Sequence, residues 1–178
     1  MEPYEPLAME HRLIERFFAI IEKEINRIRR TSRVNTAFIS TLTDFFVTYI
    51  DIYHHGKEEN ILFKKMERKK LTIEHRKMML KLLDEHKLGR RVIEELMKSA
   101  DAYASGDQNE MGNIIARFQD FIKLYTQHIN EEDHSYFMDC MDYFTESEKE
   151  EIIQDFWRYT IKLMDKKYEE IIRLLEES

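Results

Sequence analysis

The chain has 178 residues and a formal net charge of −7, which results from 28 basic and 35 acidic side chains. Glycine occurs four times and proline twice, and helix-favouring residues are abundant, so the composition predicts an all-α protein. The negative charge argues against a nucleic-acid surface, which requires clustered basic side chains. Cys140 is the one cysteine, which excludes an intrachain disulfide.

The N-terminal segment lacks the pattern of a signal peptide, and no apolar run is long enough to cross a bilayer. We therefore expect a cytoplasmic protein that binds neither nucleic acid nor membranes. The length is typical of one domain with a substantial core. We predict a single domain over residues 1–178, with a bundle at about 7–143 and an additional helix at about 145–177.

Apolar residues recur at helical spacing and predict five helices, in chain order at roughly 7–30, 35–69, 72–103, 107–142 and 145–177. The first carries its apolar stripe at Leu13, Phe17, Ile20, Ile21, Ile25 and Ile28, and the fifth at Ile152, Phe156, Leu163, Met164, Ile171 and Leu175. Thr72 is the predicted N-cap of the third helix, and Thr145 opens a capping box with Glu148. Because the connections are short, we predict an antiparallel up-down-up-down four-helix bundle with an additional C-terminal helix.

A His-x-x-x-Glu pair at His54 and Glu58 recurs at His128 and Glu132, and two further histidines stand on other predicted helices. The same spacing also occurs at His11/Glu15 and His55/Glu59. Residues four apart lie on the same face of a helix, so each pattern offers an imidazole and a carboxylate to one point, which is a metal-binding geometry. Together these residues are sufficient to hold two transition-metal ions. They are His11, His54, Glu58, His86, His128 and Glu132.

The heights of three histidines along the predicted bundle agree. His54 lies about fifteen residues before the end of its helix, His86 about fourteen after the start, and His128 about fourteen before the end. At 1.5 Å per residue, all three are roughly 21–23 Å from the same end of the bundle. The agreement favours one shared site over separate surface pairs.

The His-x-x-x-Glu spacing is by itself a weak signal, because it is also typical of surface helix pairs worth a few tenths of a kcal/mol. His55 is directed about 100° away from His54 on an α-helix, so it is either solvated or a peripheral ligand. Glu59 is expected to support a ligand or to be exposed. His75 and His134 are expected at the surface.

These residues resemble the hemerythrin-like proteins, also called the HHE cation-binding domain family. The matching stretches are residues 9–12, 54–63, 84–90, 128–133 and 136–137, in the family's order. The resemblance implies a four-helix bundle with a non-heme, carboxylate-bridged di-iron centre. The implied terminal ligands are His11, His54, His86 and His128, and the implied bridges are Glu58 and Glu132. Such iron binds O₂, peroxide or NO when it has an open position.

One position departs from the oxygen-carrying members, which have two histidines one turn apart on the third helix. Leu82 stands one turn before His86, so one iron would lack a ligand unless His55 or water supplies it. Some relatives place an extra ligand directly after the histidine of the second helix. His55 is therefore retained as a candidate metal ligand.

The leading hypothesis is a di-iron protein that binds or senses O₂ or a related small oxidant, rather than an enzyme. The alternatives are a di-iron oxidase or peroxidase, an NO-responsive iron-handling or repair protein, and a metal-free helical interaction module. A ferritin-like ferroxidase is a weaker alternative. The fifth helix is predicted to be a lid on the bundle, and a homodimer is left open.

Overall fold

Five helical rods follow one another along the chain in the computed structural model, which describes the backbone of residues 1–176 and the side chains of residues 1–163. Within those residues all regular secondary structure is helical, without a strand. The rods are α1 (Tyr4–Thr31), α2 (36–67), α3 (Ile73–Ala104), α4 (110–143) and α5 (Glu146–Glu176).

Two of the rods are not uniform α-helices. In α2, an α-helix at Thr36–Asp44 continues as π-helix at Phe45–His55, returns to α-helix at 56–57, is π-helical again at Glu58–Leu62 and ends as α-helix at Phe63–Glu67. In α4, the segments are α-helix at Glu110–Glu131, π-helix at Glu132–Tyr136, α-helix at Phe137–Cys140 and 3₁₀-helix at Met141–Tyr143. π-Helical turns, with i→i+5 hydrogen bonds, are rare and often mark functional sites.

The helix starts follow local capping chemistry. The Thr72 side chain accepts a hydrogen bond from the His75 N–H at 3.1 Å, as predicted. Thr145 and Glu148 form the predicted capping box, with distances of 2.9 and 3.3 Å. Helix α1 begins three residues earlier than predicted and includes Pro6 in its first turn, where backbone N–H groups have no helical partner in any case.

The apolar core consists of two clusters. One contains Ile14, Phe18, Ile50, Val92 and Ile129 among its members, and the other contains Leu7, Leu62, Leu82, Tyr136 and Phe156 among its members. Each of the first four helices contributes to both clusters, so a gap along the bundle separates them. On α1, α2 and α3 the candidate ligands fall in this gap along the sequence. On α4 Glu132 does so, and His128 directly precedes Ile129 at the edge of the first cluster.

The apolar stripe of α1 differs in phase from the prediction. Leu13 and Ile20 are 39% and 46% exposed, whereas Ile14 and Phe18 are buried. Met164, Ile171 and Leu175 of the predicted α5 stripe lie outside the described side chains.

Helices α3 and α4 contact each other at residues whose numbers run in opposite order, because Lys81 pairs with Glu131 while Glu95 pairs with Arg117. These two helices are therefore antiparallel. Helix α5 contacts α2 through Lys65, which pairs with Asp155 at 2.9 Å. None of the helices in the described part of the chain has the length and apolar character that a membrane span requires.

Candidate metal centre

All seven side chains that the sequence marks as candidate ligands come together in the gap between the two apolar clusters. Each is at most 1% exposed. Their ligand atoms form two groups, and within each group these atoms lie within 4.8 Å of one another. One group is His11, His54, Glu58 and Glu132, and the other is His55, Glu58, His86 and His128.

Two carboxylates lie between the groups. Each directs one oxygen towards an imidazole Nε2 atom of α1 or α2, and its other oxygen towards an Nε2 atom of α3 or α4. A carboxylate in this arrangement could bridge two cations. The distances are 3.3 and 3.4 Å from Glu58 to His54 and His86, and 3.2 and 3.3 Å from Glu132 to His11 and His128.

The donor set of the cluster fits cations. Among the described residues, none donates a hydrogen bond of normal geometry to any carboxylate oxygen of Glu58 or Glu132, and the Nε2 atom of His55 is likewise without a partner. Burying such groups unpaired is costly, whereas coordination to a positive ion satisfies them. The cluster is therefore chemically incomplete as a purely polar core.

A family model described as the hemerythrin HHE cation-binding domain matches residues 2–140. The chain belongs to this family. Neither a search of curated proteins nor a search of solved structures found a significant match. The family is described as cation-binding, and the two groups of histidine and glutamate side chains form candidate cation sites in this HHE domain.

The Nδ1 atoms of four histidines in the HHE domain are each hydrogen-bonded to an acidic side chain of a neighbouring helix. An acid of α1 binds the histidine of α2, and the same relation holds from α2 to α3, from α3 to α4 and from α4 back to α1. We call this closed set of four contacts the carboxylate ring. Its pairs are Glu10–His54 at 3.0 Å, Glu59–His86 at 2.8 Å, Glu85–His128 at 2.9 Å and Asp133–His11 at 2.7 Å.

The carboxylate ring orients the imidazoles. A hydrogen bond at Nδ1 fixes the tautomer and leaves the Nε2 lone pair free to bind a metal. Sequence analysis anticipated such a role only for Glu59. The sequence signal for the other three is that each acid of the ring directly precedes or follows a candidate ligand. On a helix such a neighbour is turned by about 100° and so faces the next helix.

His55 is buried and stacks on His86 with 3.8 Å between ring centroids and 13° between planes. The alternative of a solvated His55 is therefore wrong. Its Nδ1 atom lies 3.4 Å from Asp51, and its Nε2 atom faces the second group. His55 lies in a π-helical segment of α2, where the wider turn reduces the angle between adjacent side chains.

Lys57 is a further buried charge that sequence analysis missed. Its side chain is 2% exposed, contacts the Glu10 carboxylate and lies 3.7 Å above the centre of the Tyr53 ring. The ammonium group offsets the charge of Glu10, and the aromatic face adds a cation–π contact. Lys57 thereby anchors the member of the carboxylate ring that holds His54.

Gly89 has a packing role near the second group. A Cβ atom at this position would lie 2.8 Å from Cζ of Tyr125, which is too close for an unshifted structure. The absence of a side chain therefore allows the Tyr125 ring to lie against α3, where it stacks on His55 with 5.8 Å between centroids.

Burial lowers the pKa of His54, His55 and His86, so these imidazoles are neutral at neutral pH and available to a metal. Burial also raises the pKa of Glu58, and the charge of Glu132 adds to this effect. Burial disfavours the charged form of His11 as well, but the hydrogen bond to Asp133 and the nearby carboxylate of Glu132 outweigh it and raise the pKa to about 9.

The two other histidines lie outside the cluster. His134 is exposed, as predicted. His75 is half-buried rather than at the surface, and its Nδ1 atom lies 2.9 Å from the hydroxyl of Tyr143. Leu82 is fully buried in the second apolar cluster, so it contributes packing at the position where oxygen-carrying relatives have a ligand.

Replacing Glu85 by alanine should weaken metal binding by about 10- to 100-fold, because His128 loses the acceptor that fixes its tautomer. Chelator competition under anaerobic conditions measures this change. The matched control is Glu94→Ala, which removes an exposed carboxylate from the same helix and should leave the affinity unchanged. Equal affinities for the two variants would contradict the orienting role of the carboxylate ring.

Proposed function

We propose that this HHE domain holds two iron ions bridged by Glu58 and Glu132 and that it binds or senses O₂ or a related small oxidant. The observation that carries the proposal is the position of each carboxylate, with one oxygen in either group of imidazoles. The proposal includes an up-down-up-down arrangement of the first four helices, of which the antiparallel pair α3 and α4 is one part. A cytoplasmic location stays a prediction.

The ligands divide between two unequal positions. His11 and His54 would hold the first ion, while His86, His128 and His55 would hold the second. Glu58 belongs to both groups, and Glu132 reaches the second through its 3.3 Å contact with His128. Imidazole and carboxylate donors suit iron, although they accept other divalent ions as well. When bound, iron with an open coordination position supplies a place for a small oxidant and one-electron redox chemistry.

The protein's own residues keep the centre dry and fixed. The apolar clusters lie on both sides of the ligand level along the bundle and exclude bulk water from it. The carboxylate ring holds four imidazoles in one tautomer, and Lys57 compensates part of its negative charge. These features favour a preorganised metal centre over a metal-free interaction module. In a protein that binds no metal, buried carboxylates without hydrogen-bond donors would only lower the stability of the fold.

Metal analysis and an optical spectrum of anaerobically purified protein, recorded before and after exposure to air, test the proposal. We expect about two irons per chain and a visible absorption band that appears in air. A long-lived band supports binding or sensing, whereas rapid loss with turnover supports the oxidase or peroxidase alternative. Folded protein that takes up no iron under iron-replete conditions would contradict the proposal.

Variants of two histidines make the metal analysis specific. His54→Ala removes an imidazole of the first group and should lower the iron content, whereas His134→Ala removes an exposed imidazole and should leave it unchanged. Equal iron content in both variants would show that the metal binds elsewhere.

Metal uptake should release protons at pH 7. His11, with a pKa of about 9 in the metal-free protein, carries a proton that the metal must displace, and the raised pKa of Glu58 adds to the release. Apparent affinity should therefore rise by about tenfold per pH unit for each proton displaced, and the His11 contribution should end above a pH of about 9. A pH indicator in weakly buffered solution measures the release during metal titration. Uptake without proton release at pH 7 would contradict this protonation state.

A further inference from the structure

Helix α5, which lies beyond residues 2–140 of the family match, contacts the part of α2 that carries three candidate ligands. Ile152 and Phe156 bury their side chains in the second apolar cluster. One turn further along, the hydroxyl of Tyr159 donates a hydrogen bond to the backbone oxygen of Ile52 at 2.8 Å. Ile52 is two residues before His54.

Gly56 allows this contact. A Cβ atom at position 56 would lie 2.7 Å from Cζ of Tyr159, closer than real Cβ atoms approach another carbon. Gly56 stands between His55 and Glu58, in the middle of the ligand-bearing segment. The missing side chain at this position therefore creates the space in which Tyr159 reaches the backbone of α2.

The hydrogen-bonding pattern of α2 changes at the same place. The backbone is π-helical at Phe45–His55, α-helical at 56–57 and π-helical again at Glu58–Leu62. The Ile52 carbonyl would accept a hydrogen bond from the N–H of residue 56 in an α-turn and of residue 57 in a π-turn. These are the two residues at which the backbone is α-helical between the π-helical segments. A carbonyl oxygen has two lone pairs, so the bond from Tyr159 adds to the helical bond.

The wide turn lies where two adjacent imidazoles both face the centre. Adjacent side chains of an α-helix diverge by about 100°, and a π-helical turn reduces this angle. His54 and His55 are both 1% exposed and belong to the two groups of candidate ligands. Whatever fixes this turn therefore also influences the relative direction of the two imidazoles.

We propose that Tyr159 is a positioning residue of the metal centre, acting through the Ile52 carbonyl and the space at Gly56. Helix α5 is then a working part of the centre rather than a lid alone. The inference rests on the proposed function, since it assigns a role towards the same metal ligands.

The first test is Tyr159→Phe, which removes only the hydroxyl. Anaerobic competition between the protein and a chelator for Fe²⁺ should show about three- to tenfold weaker binding, the value of one net hydrogen bond. The matched control is Tyr103→Phe, because the Tyr103 hydroxyl accepts a bond from the Val34 N–H at 3.2 Å and lies among the first apolar cluster rather than at the ligands. The control should bind Fe²⁺ like the wild type.

A second set of variants tests the space at Gly56. Gly56→Ala should displace Tyr159 and weaken Fe²⁺ binding more than Tyr159→Phe does. Combining Gly56→Ala with Tyr159→Ala should bind Fe²⁺ like Tyr159→Ala alone, because the three atoms nearest to the added methyl group all belong to Tyr159. Trp157, the one tryptophan of the chain, lies on the same helix and should report the displacement as a change in fluorescence emission.

The outcomes separate the inference from the proposed function. Wild-type affinity in Tyr159→Phe would overturn the inference alone. A lower unfolding temperature of the metal-free variant with unchanged Fe²⁺ affinity would assign Tyr159 a merely structural role, which also overturns it. Wild-type protein that binds no Fe²⁺ would contradict the proposed function, and the inference with it.

Discussion

Replacing Glu58 by glutamine should reduce the metal content from about two ions per chain to one or none. The amide keeps the size of the side chain, but it has one oxygen and no charge, so it cannot serve both groups of imidazoles as the two oxygens of Glu58 do. Metal analysis after gel filtration measures the content, and chelator competition measures the affinity of what remains.

The control for this substitution is Glu94→Gln, an exposed glutamate on α3 that should keep the wild-type metal content. Two tightly bound ions in Glu58→Gln would show that Glu58 does not bridge. One remaining ion would show that the imidazoles of one group bind a metal without the Glu58 bridge.

Replacing Glu58 by methionine should have opposite effects on stability and on metal binding. The two carboxylate oxygens are fully buried and receive no regular hydrogen bond from the described residues. Removing them should stabilise the metal-free protein by about 1–3 kcal/mol, the cost of an unsatisfied buried polar group. The variant should at the same time lose the bridged metals.

Urea unfolding with excess chelator measures the stability of the metal-free forms. Wild-type protein with metal should be more stable than both, by about 4 kcal/mol over its metal-free form at a thousandfold excess over the dissociation constant. A surface control, Glu94→Met, should change the free energy of unfolding by no more than about 0.5 kcal/mol. A metal-free Glu58→Met variant that is less stable than metal-free wild type would mean that the carboxylate is satisfied without metal.

The position of the candidate ligands along the bundle axis could be predicted from the sequence. The number of residues between a ligand and the end of its helix sets the distance of that ligand from the end of the bundle. The cap at Thr72 defines where the helix of His86 begins, and the capping box at Thr145 marks that the helix of His128 has ended before it. A rise of about 1.5 Å per residue, counted from these two points, then gives the two histidines the same height. The His-x-x-x-Glu spacing adds that imidazole and carboxylate share a face. Local chemistry and counting were therefore sufficient to bring His54, His86 and His128 to one height, whereas the places of His11 and His55 came with the family resemblance.

The direction of His55 could not be predicted in the same way. His55 lies in a π-helical segment, and such a segment leaves no periodic signal in a single sequence. The buried face of α1 could not be predicted either, because both Leu13 and Ile14 fit an apolar stripe. The packing of neighbouring helices decides that Ile14 is buried.

The carboxylate ring was missed because its contacts join residues distant in sequence. Glu10 and His54 are on different helices, and so are Asp133 and His11. Acidic residues are abundant in this chain, so residue type alone does not distinguish an acid of the carboxylate ring from a solvent-exposed acid. Only the adjacency of such acids to ligands carries information, and it becomes decisive once the neighbouring helix is known.

The closed carboxylate ring has a consequence for biosynthesis. Each histidine depends on an acid from another helix, and the last acid, Asp133, serves the first histidine, His11. A chain still emerging from the ribosome therefore has no fully oriented centre until Asp133 of α4 has been made. A metal that requires the oriented centre would bind only after that point, so the unfinished chain would not hold it in a half-formed site.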